Sequence, residues 1–327
     1  MSSNRKDEHL LLAKAQVEKK NAFDKMVLNS TDLPNLSMED IDLSTTFLGY
    51  KVDYPFYINA MTGGSLKGYD VNDFLSQIAN HFKIPFVTGS QSIALRDHKQ
   101  IESFSIVRKN HDGLVISNLN ANASVHDALK AMDMIQADGL SIHLNVIQEL
   151  VMPEGDRDFT KWTKNIKEII EKIDKPILVK QVGMGLSPST IKQLKTIGVK
   201  HIDVAGSGGT SFLEIESKRS GKDYSYLNEF GLETLDILLH LKDNHDMTYY
   251  ASGGIRNPLD VIKSLILGAK AVGLSRWFLN LTDLSLDEAI VYVEDFIYDL
   301  KKIMLIIGAK DIESLKQVDY QIIKNAA

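Results

Sequence analysis

Eight short β-type runs alternate with helical stretches along most of the chain, and this alternation restricts the possible folds more than any other feature. The runs are Tyr54–Ala60, Ile84–Thr88, Gly113–Asn118, Gly139–Leu144, Pro176–Gln181, Val199–Val204, Thr248–Ala251 and Ala269–Leu274. Several are almost wholly apolar, as expected for strands covered on both faces of a parallel sheet. Helical patterns fill the intervals. Tyr69–Phe82 carries Val71, Phe74, Leu75, Ile78 and Phe82 on one stripe. Val125–Gln136 follows a Ser124 cap, and Trp162–Ile173 follows the fourth run. Pro188–Thr196 and Pro258–Leu267 each begin with a capping residue and then proline. Leu232–Lys242 and the long Leu286–Ile307 complete the set. Eight such units over roughly 250 residues predict an α/β chain folded as a (β/α)8 TIM barrel. The alternative is an open doubly wound sheet. That fold usually places GxGxxG after its first strand, where this chain has Ala60-Met61-Thr62-Gly63-Gly64-Ser65. Residues 1–50 form an N-terminal extension, with a charged helix near Asp7–Lys20, expected to pack on or over the barrel of residues 51–327.

Composition removes several function classes. The 37 basic and 43 acidic residues give a net charge of −6, and no block of like charges stands out. A broad nucleic-acid-binding face is therefore not expected. The chain has no cysteine, which excludes disulfides, cysteine-held zinc, iron–sulfur clusters and thiolate catalysis. The longest late apolar stretch, Met304–Ala309, is far short of the ~20 residues of a membrane span. The N-terminus has only the short apolar run Leu10–Leu12 after its charges, which is no secretory h-region. A soluble, cytoplasmic protein is the expectation.

In such barrels the chemistry sits at the C-terminal strand ends. Those positions read Met61–Gly64, Gly89-Ser90-Gln91, Asn118–Asn120, His143–Asn145, Lys180, Gly206–Thr210, Ser252–Arg256 and Gly273–Arg276. The glycine clusters after strands seven and eight predict a phosphate site built from backbone N–H groups; the bland alternative is glycines that only permit tight turns. Lys180 ends the apolar run PILVK and points a cation at the mouth, fit for an anionic ligand such as reduced flavin, unless it merely snorkels. His143, Asn145, Gln148 and Glu149 crowd into HLNVIQE. Glu149 is the best single magnesium ligand, since that ion takes one or two carboxylates plus phosphate oxygens. It is otherwise a solvated loop glutamate. The other histidines show no metal-ligand spacing, and His240 and His245 are expected on a solvated helix end.

Together these residues resemble type 2 isopentenyl-diphosphate isomerase, the FMN-dependent form. The resemblance runs from Arg5-Lys6-Asp7-Glu8-His9-Leu10 through HLNVIQE and SGGIR to Gly273–Phe278. The pairing of RKxxHL with HLNxxQE is specific to that family, whereas other FMN barrels share SGGIR and GGT. The resemblance implies FMN contacts at Ala60, Met61, Thr62, Ser90, Asn118, Lys180, Thr210, Gly253, Gly254, Arg256, Gly273 and Leu274. It implies substrate contacts at Arg5, Lys6, Ser90, Gln91, His143, Asn145 and Gln148, and magnesium on Glu149. Gln148, His143 and Asn145 would be the catalytic set. Two positions depart from the family: Ser92 stands where it usually has arginine, and Ala205 where it usually has serine.

The implied reaction interconverts isopentenyl and dimethylallyl diphosphate. An unactivated alkene is a poor base, and no cysteine is present for the flavin-free chemistry. Reduced FMN would then be the acid and base with no net redox change, NADPH serving only to reduce it. Gln148, a neutral amide, would position rather than protonate. The family also implies a homo-oligomer. The enzyme rival is an FMN-dependent 2-hydroxy-acid oxidase, which needs a histidine base near strand seven, where the chain reads Tyr249-Tyr250-Ala251-Ser252. A non-enzymatic flavin- or phosphate-binding barrel is the third reading. Two segments claimed by no strand or regular helix, the arm carrying Arg5 and Lys6 and the stretch Ser211–Glu229, are expected to be mobile lids.

Overall fold

The computed structural model describes residues 2–242 and 246–323. Eight parallel strands close into a barrel, each hydrogen-bonded to the next and the last to the first. They are β1 Phe56–Ile58, β2 Phe86–Val87, β3 Val115–Asn120, β4 Gly139–Leu144, β5 Ile177–Gln181, β6 His201–Asp203, β7 Thr248–Ser252 and β8 Val272–Leu274. All eight fall within or against the expected runs. Five are shorter than their runs, β4 matches its run, β3 is shifted two residues and β7 extends one residue further.

The helices between strands form where the stripes and caps place them. Ser65, Ser124, Ser187, Asn257 and Ser285 each accept a hydrogen bond from a first-turn N–H. This satisfies a donor with no partner inside the helix. Pro188–Thr196 matches its expected bounds, and Pro258–Ile266 ends one residue early. The helix Glu102–Asn110 was not anticipated; it packs Phe104 and Val107 into the core.

Two apolar layers result. The larger lies between the barrel and its helices. The smaller fills the barrel itself with Tyr57, Val87, Ile116, Leu178 and Tyr250. Its floor comes from the N-terminal extension. The antiparallel strands Thr45–Phe47 and Tyr50–Val52 form a hairpin that inserts Phe47 and Leu48. The Phe47 ring lies 4.6 Å from Tyr57 and 5.1 Å from Tyr250, and the Leu48 N–H donates to Tyr250 Oη at 2.8 Å. A second two-stranded sheet pairs Met26–Leu28 with Tyr320–Ile322. The helix Ser2–Lys14 packs near Leu66–Phe82, Phe212–Ser220 and Arg276–Leu281, on the opposite, C-terminal side of the barrel.

Candidate active site

The polar layer above the barrel core is set by strand register. Asn120, His143, Lys180, Asp203 and Tyr250 are successive partners across β3 to β7. Cross-strand partners share a face, so His143, Lys180 and Asp203 all face inward with Tyr250. Asp203 is fully buried and accepts from Tyr57 Oη at 2.9 Å, Asn59 Nδ2 at 2.9 Å, Ser252 Oγ at 2.7 Å and the Ala205 N–H at 3.1 Å. Lys180 is buried and donates to the Gln181 carbonyl at 3.0 Å. Burial pulls its pKa below the ordinary lysine value, and the charge of Asp203 opposes that pull.

His143 Nδ1 lies 3.0 Å from Asn118 Oδ1, while Asn118 Nδ2 donates to the Thr88 carbonyl. Asn118 therefore offers an acceptor, so Nδ1 carries the proton and Nε2 is left as an acceptor. Burial first, then the nearby charges of Lys180 and Lys6, depress the imidazole to a pKa of about 3. It is neutral at physiological pH. Lys6, from the N-terminal helix, lies within electrostatic reach of the mouth; burial and Arg5 lower its pKa to about 8.

Asn145 caps the short helix Val146–Val151, accepting from the Gln148 N–H at 2.9 Å. Its amide donates to Gln148 Oε1 at 3.2 Å and to the Val182 carbonyl at 3.0 Å. It thus orients Gln148, whose own amide meets only the Met152 sulfur at 3.9 Å. Glu149 accepts from the Asp156 N–H at 2.9 Å; burial raises its pKa, that hydrogen bond and the charges of Arg5 and Arg157 oppose the rise, and the Asp156 charge adds to it. Arg5 lies 3.5 Å from Glu154, with its Nε buried and unpartnered. No cluster of three metal-ligating side chains occurs among the described residues.

Two residues expected to contact ligands are engaged within the protein. Gln91 does not reach the mouth. Its amide donates to the Ala131 carbonyl at 2.9 Å, and its carbonyl accepts from Ser117 Oγ at 2.5 Å and the Asn118 N–H at 3.2 Å. It braces β2 against β3 with no exposed surface. Arg256 is held by Asp24 at 2.7 Å and by Asp260 at 2.8 Å, so its charge is matched inside the protein.

The glycine clusters have a packing reason as well as a binding one. A Cβ on Gly253 would lie 2.0 Å from the Gly206 carbonyl oxygen, so the loops after β6 and β7 interlock backbone to backbone. Gly273 leaves room for Asn59 and Tyr57, whose polar ends would be 2.6 and 2.8 Å from its Cβ. Leu274 packs in the core and Gly254 accepts Asn21 on its carbonyl at 2.8 Å. Ala60 and Met61 are half-buried, and Thr62 Oγ1 is buried without a partner. Ser90 Oγ lies 3.2 Å from Ser92 Oγ, and Arg96 folds back onto the Ser92 carbonyl.

Sequence reasoning missed three groups. Arg276 was seen on the rim but given no role. Its Nη2 reaches Gln16 at 3.0 Å and Thr210 at 3.5 Å, while its Nε is buried and unpartnered. Asp203 gave one signal, a carboxylate inside the apolar run KHIDV. The third is Glu216, whose partner His9 lies 207 residues away in sequence. The stretch Ser211–Glu229 is not structureless: it folds as the helix Phe212–Ser220 and a 3-10 turn at Ser225–Phe230. Glu216 is fully buried, bonded to His9 Nε2 at 2.8 Å and Arg219 Nη1 at 2.6 Å. Arg219 also meets Glu8 at 3.0 Å, so arm and lid are clipped together. His240 lies exposed in the helix Thr234–Leu241, and His245 lies outside the described residues.

The FMN-dependent dehydrogenase family model matches residues 94–321. Isopentenyl-diphosphate delta-isomerase of Staphylococcus epidermidis is 42% identical over 320 residues, covering 96% of this chain and 92% of the relative. The enzyme of that name from Staphylococcus aureus is 42% identical over 318 residues, covering 96% and 91%. Among solved structures, a flavocytochrome b2 variant superposes with a TM-score of 0.70 at 19% identity, covering 98% and 84%. A mandelate oxidase with an FMN adduct gives 0.65 at 14%, covering 96% and 92%. These two share the barrel fold. No helix among the described residues is long and apolar enough to cross a membrane. With the RKxxHL arm, the HLNVIQE segment and this identity along nearly its whole length, the chain belongs to the isopentenyl-diphosphate delta-isomerase family, within the FMN-dependent barrels.

Proposed function

We propose that this protein interconverts isopentenyl and dimethylallyl diphosphate at the C-terminal mouth of the barrel, with FMN bound there. One observation carries the site: Lys6, Lys180 and Arg276 are desolvated cations that make no ion pair among the described residues. Desolvated cations with no carboxylate in contact favour anionic ligands. The unpartnered Arg276 Nε, beside Thr210, fits the flavin phosphate, and Lys180 fits the electron-rich edge of the ring. Ala60, Met61, Thr62, Ser90 and Asn118 would line the remaining cradle. Bound and reduced by NADPH, FMN supplies the acid–base chemistry the alkene needs.

The chain's residues hold, orient and exclude water. Arg5 and Lys6 would pair with the diphosphate. Neutral His143 would meet it with Nε2 protonated only once the anion is bound, since a nearby negative charge raises an imidazole pKa. Gln148, aimed by Asn145, would fix the isoprenyl chain through its free amide. Glu149 would share magnesium with diphosphate oxygens, one carboxylate being enough when phosphate completes the shell.

The oxidase reading meets a specific obstacle. The β7 end presents Ser252, whose hydroxyl donates to Asp203, and no imidazole. The deciding experiment supplies FMN-loaded, prereduced protein with isopentenyl diphosphate and magnesium. Dimethylallyl diphosphate should accumulate over many turnovers without matching NADPH consumption. Stoichiometric oxidation of a 2-hydroxy acid, with no isomer formed, would overturn the reading.

A further inference from the structure

We propose that Asp203 is the fixed counter-charge that keeps Lys180 an ammonium beneath the flavin, making it a positioning residue for the cofactor. The inference rests on the placement of FMN proposed above. Asp203 and Lys180 are register partners on neighbouring strands, share the inward face and are both buried. Asp203 is immobilised from three strands: Tyr57 and the adjoining Asn59 at β1, Ser252 on β7, and Ala205 just beyond β6. Its hydrogen bonds come from neutral donors, so its charge is not cancelled by any ion pair among the described residues. The chain bends to keep this arrangement. Ala205 adopts a left-handed backbone, φ +40°, with its N–H on Asp203, and β8 has no side chain at 273 where the cluster needs space. What the buried carboxylate adds is charge, and the charged side chain next to it in register is Lys180.

The other groups around Lys180 do not substitute for it. His143 on β4 is neutral, Tyr57 on β1 and Tyr250 on β7 are held protonated by burial, and Lys6 above the mouth adds like charge. Lys180 therefore has one anion to rely on until flavin binds.

The test measures FMN affinity of the apoprotein by flavin fluorescence quenching from pH 7 to 9. All proteins carry Lys6→Met, because Lys6 titrates near pH 8. With Asp203 present, affinity should be flat across the window. With Asp203→Asn, affinity should fall with pH, approaching about tenfold per pH unit once Lys180 deprotonates. Adding Lys180→Met to Asp203→Asn should abolish that slope. Ser252→Ala removes a donor but no charge and should stay flat. A slope with Asp203 intact, or a flat Asp203→Asn profile, overturns the inference; the first readout needs no folded Asp203 variant. If Lys180→Met alone leaves FMN affinity unchanged at every pH, the placement of the flavin fails instead, and the two failures are distinct.

Discussion

At the residue scale, two arginines near the glycine loops differ in whether a carboxylate holds them. Arg256 sits in the SGGIR motif, but two carboxylates hold its guanidinium. Arg276 lies in the Gly273–Phe278 element but has no contact implied by the resemblance, and it is half-buried with an unpartnered Nε beside Thr210. A cation left without a counter-ion in a dry site gains most from an anionic ligand. Arg276→Gln should therefore weaken FMN binding by tenfold or more, about 1.4 kcal/mol or above, with the melting temperature of the apoprotein little changed. Arg256→Gln should instead lower apoprotein stability by about 3 kcal/mol, because it strands Asp260 in the interior. Equilibrium titration with FMN, beside urea unfolding of the apo forms, separates the two. A second consequence concerns histidine. His111 has no exposed surface, both ring nitrogens lack partners, and burial followed by the Arg108 charge lowers its pKa to about 4. The unfolded chain takes up a proton below pH 6.5, and the folded protein resists it until about pH 4. Stability from this group is thus complete above pH 6.5 and drains as pH falls. Its slope approaches about 1.4 kcal/mol per pH unit. A His111→Gln variant should show a shallower decline of the urea midpoint between pH 7 and 5, and an unchanged decline would mean His111 does not contribute.

At the element scale, the N-terminal helix and the helix Phe212–Ser220 form one unit over the mouth. They are joined by His9–Glu216, Glu8–Arg219 and the T-shaped contact of His9 with Phe212, 5.7 Å between ring centroids. Gln16 continues the clip, bonding the Ser211 backbone from both ends of its amide. His9→Ala removes one of the two partners of a fully buried carboxylate, whose other oxygen stays on Arg219; leaving a buried acceptor unsatisfied costs about 1–3 kcal/mol. Proteolytic nicking within 211–230 should become at least tenfold faster in that variant, while cleavage elsewhere stays as in the parent. Substrate diphosphate and FMN together should slow the nicking in both proteins. Equal rates in variant and parent would show that the clip does not govern lid opening.

At the scale of the whole molecule, residues from the extension reach both ends of the barrel. Its hairpin closes the N-terminal end with Phe47, and its first helix covers the C-terminal end. Phe47 is fully buried among the rings of Tyr57 and Tyr250, and Tyr57 in turn bonds Asp203. Phe47→Ala should cost about 3–5 kcal/mol of stability. It should also loosen FMN binding measurably at temperatures where the protein remains folded, since the packed ring supports the polar layer. Calorimetry and FMN titration on the same variant check both parts. A stability loss with unchanged affinity would confine Phe47 to packing.

Much of this was legible in the residues alone. Period and length identified the eight strands, because a strand buried on both faces must be apolar throughout, as in PILVK. Caps such as Ser187-Pro188 fixed helix starts, because an unpaired N–H needs a local acceptor. The proximity within HLNVIQE was legible too, since its members lie within seven residues and the helix turn brings Asn145 onto Gln148. What could not be read were partnerships across the barrel. Whether Arg256 or Arg276 is free depends on Asp24 and Gln16, supplied by a distant extension. The engagement of Gln91 by Ala131 and Ser117, and the helix within Ser211–Glu229 that buries Glu216 against His9, are such partnerships. Local sequence settles periodicity and capping because those energies act within one helical turn or one strand. The charge and freedom of a site residue are decided by the groups that desolvate and satisfy it, and only the closed barrel brings those groups together.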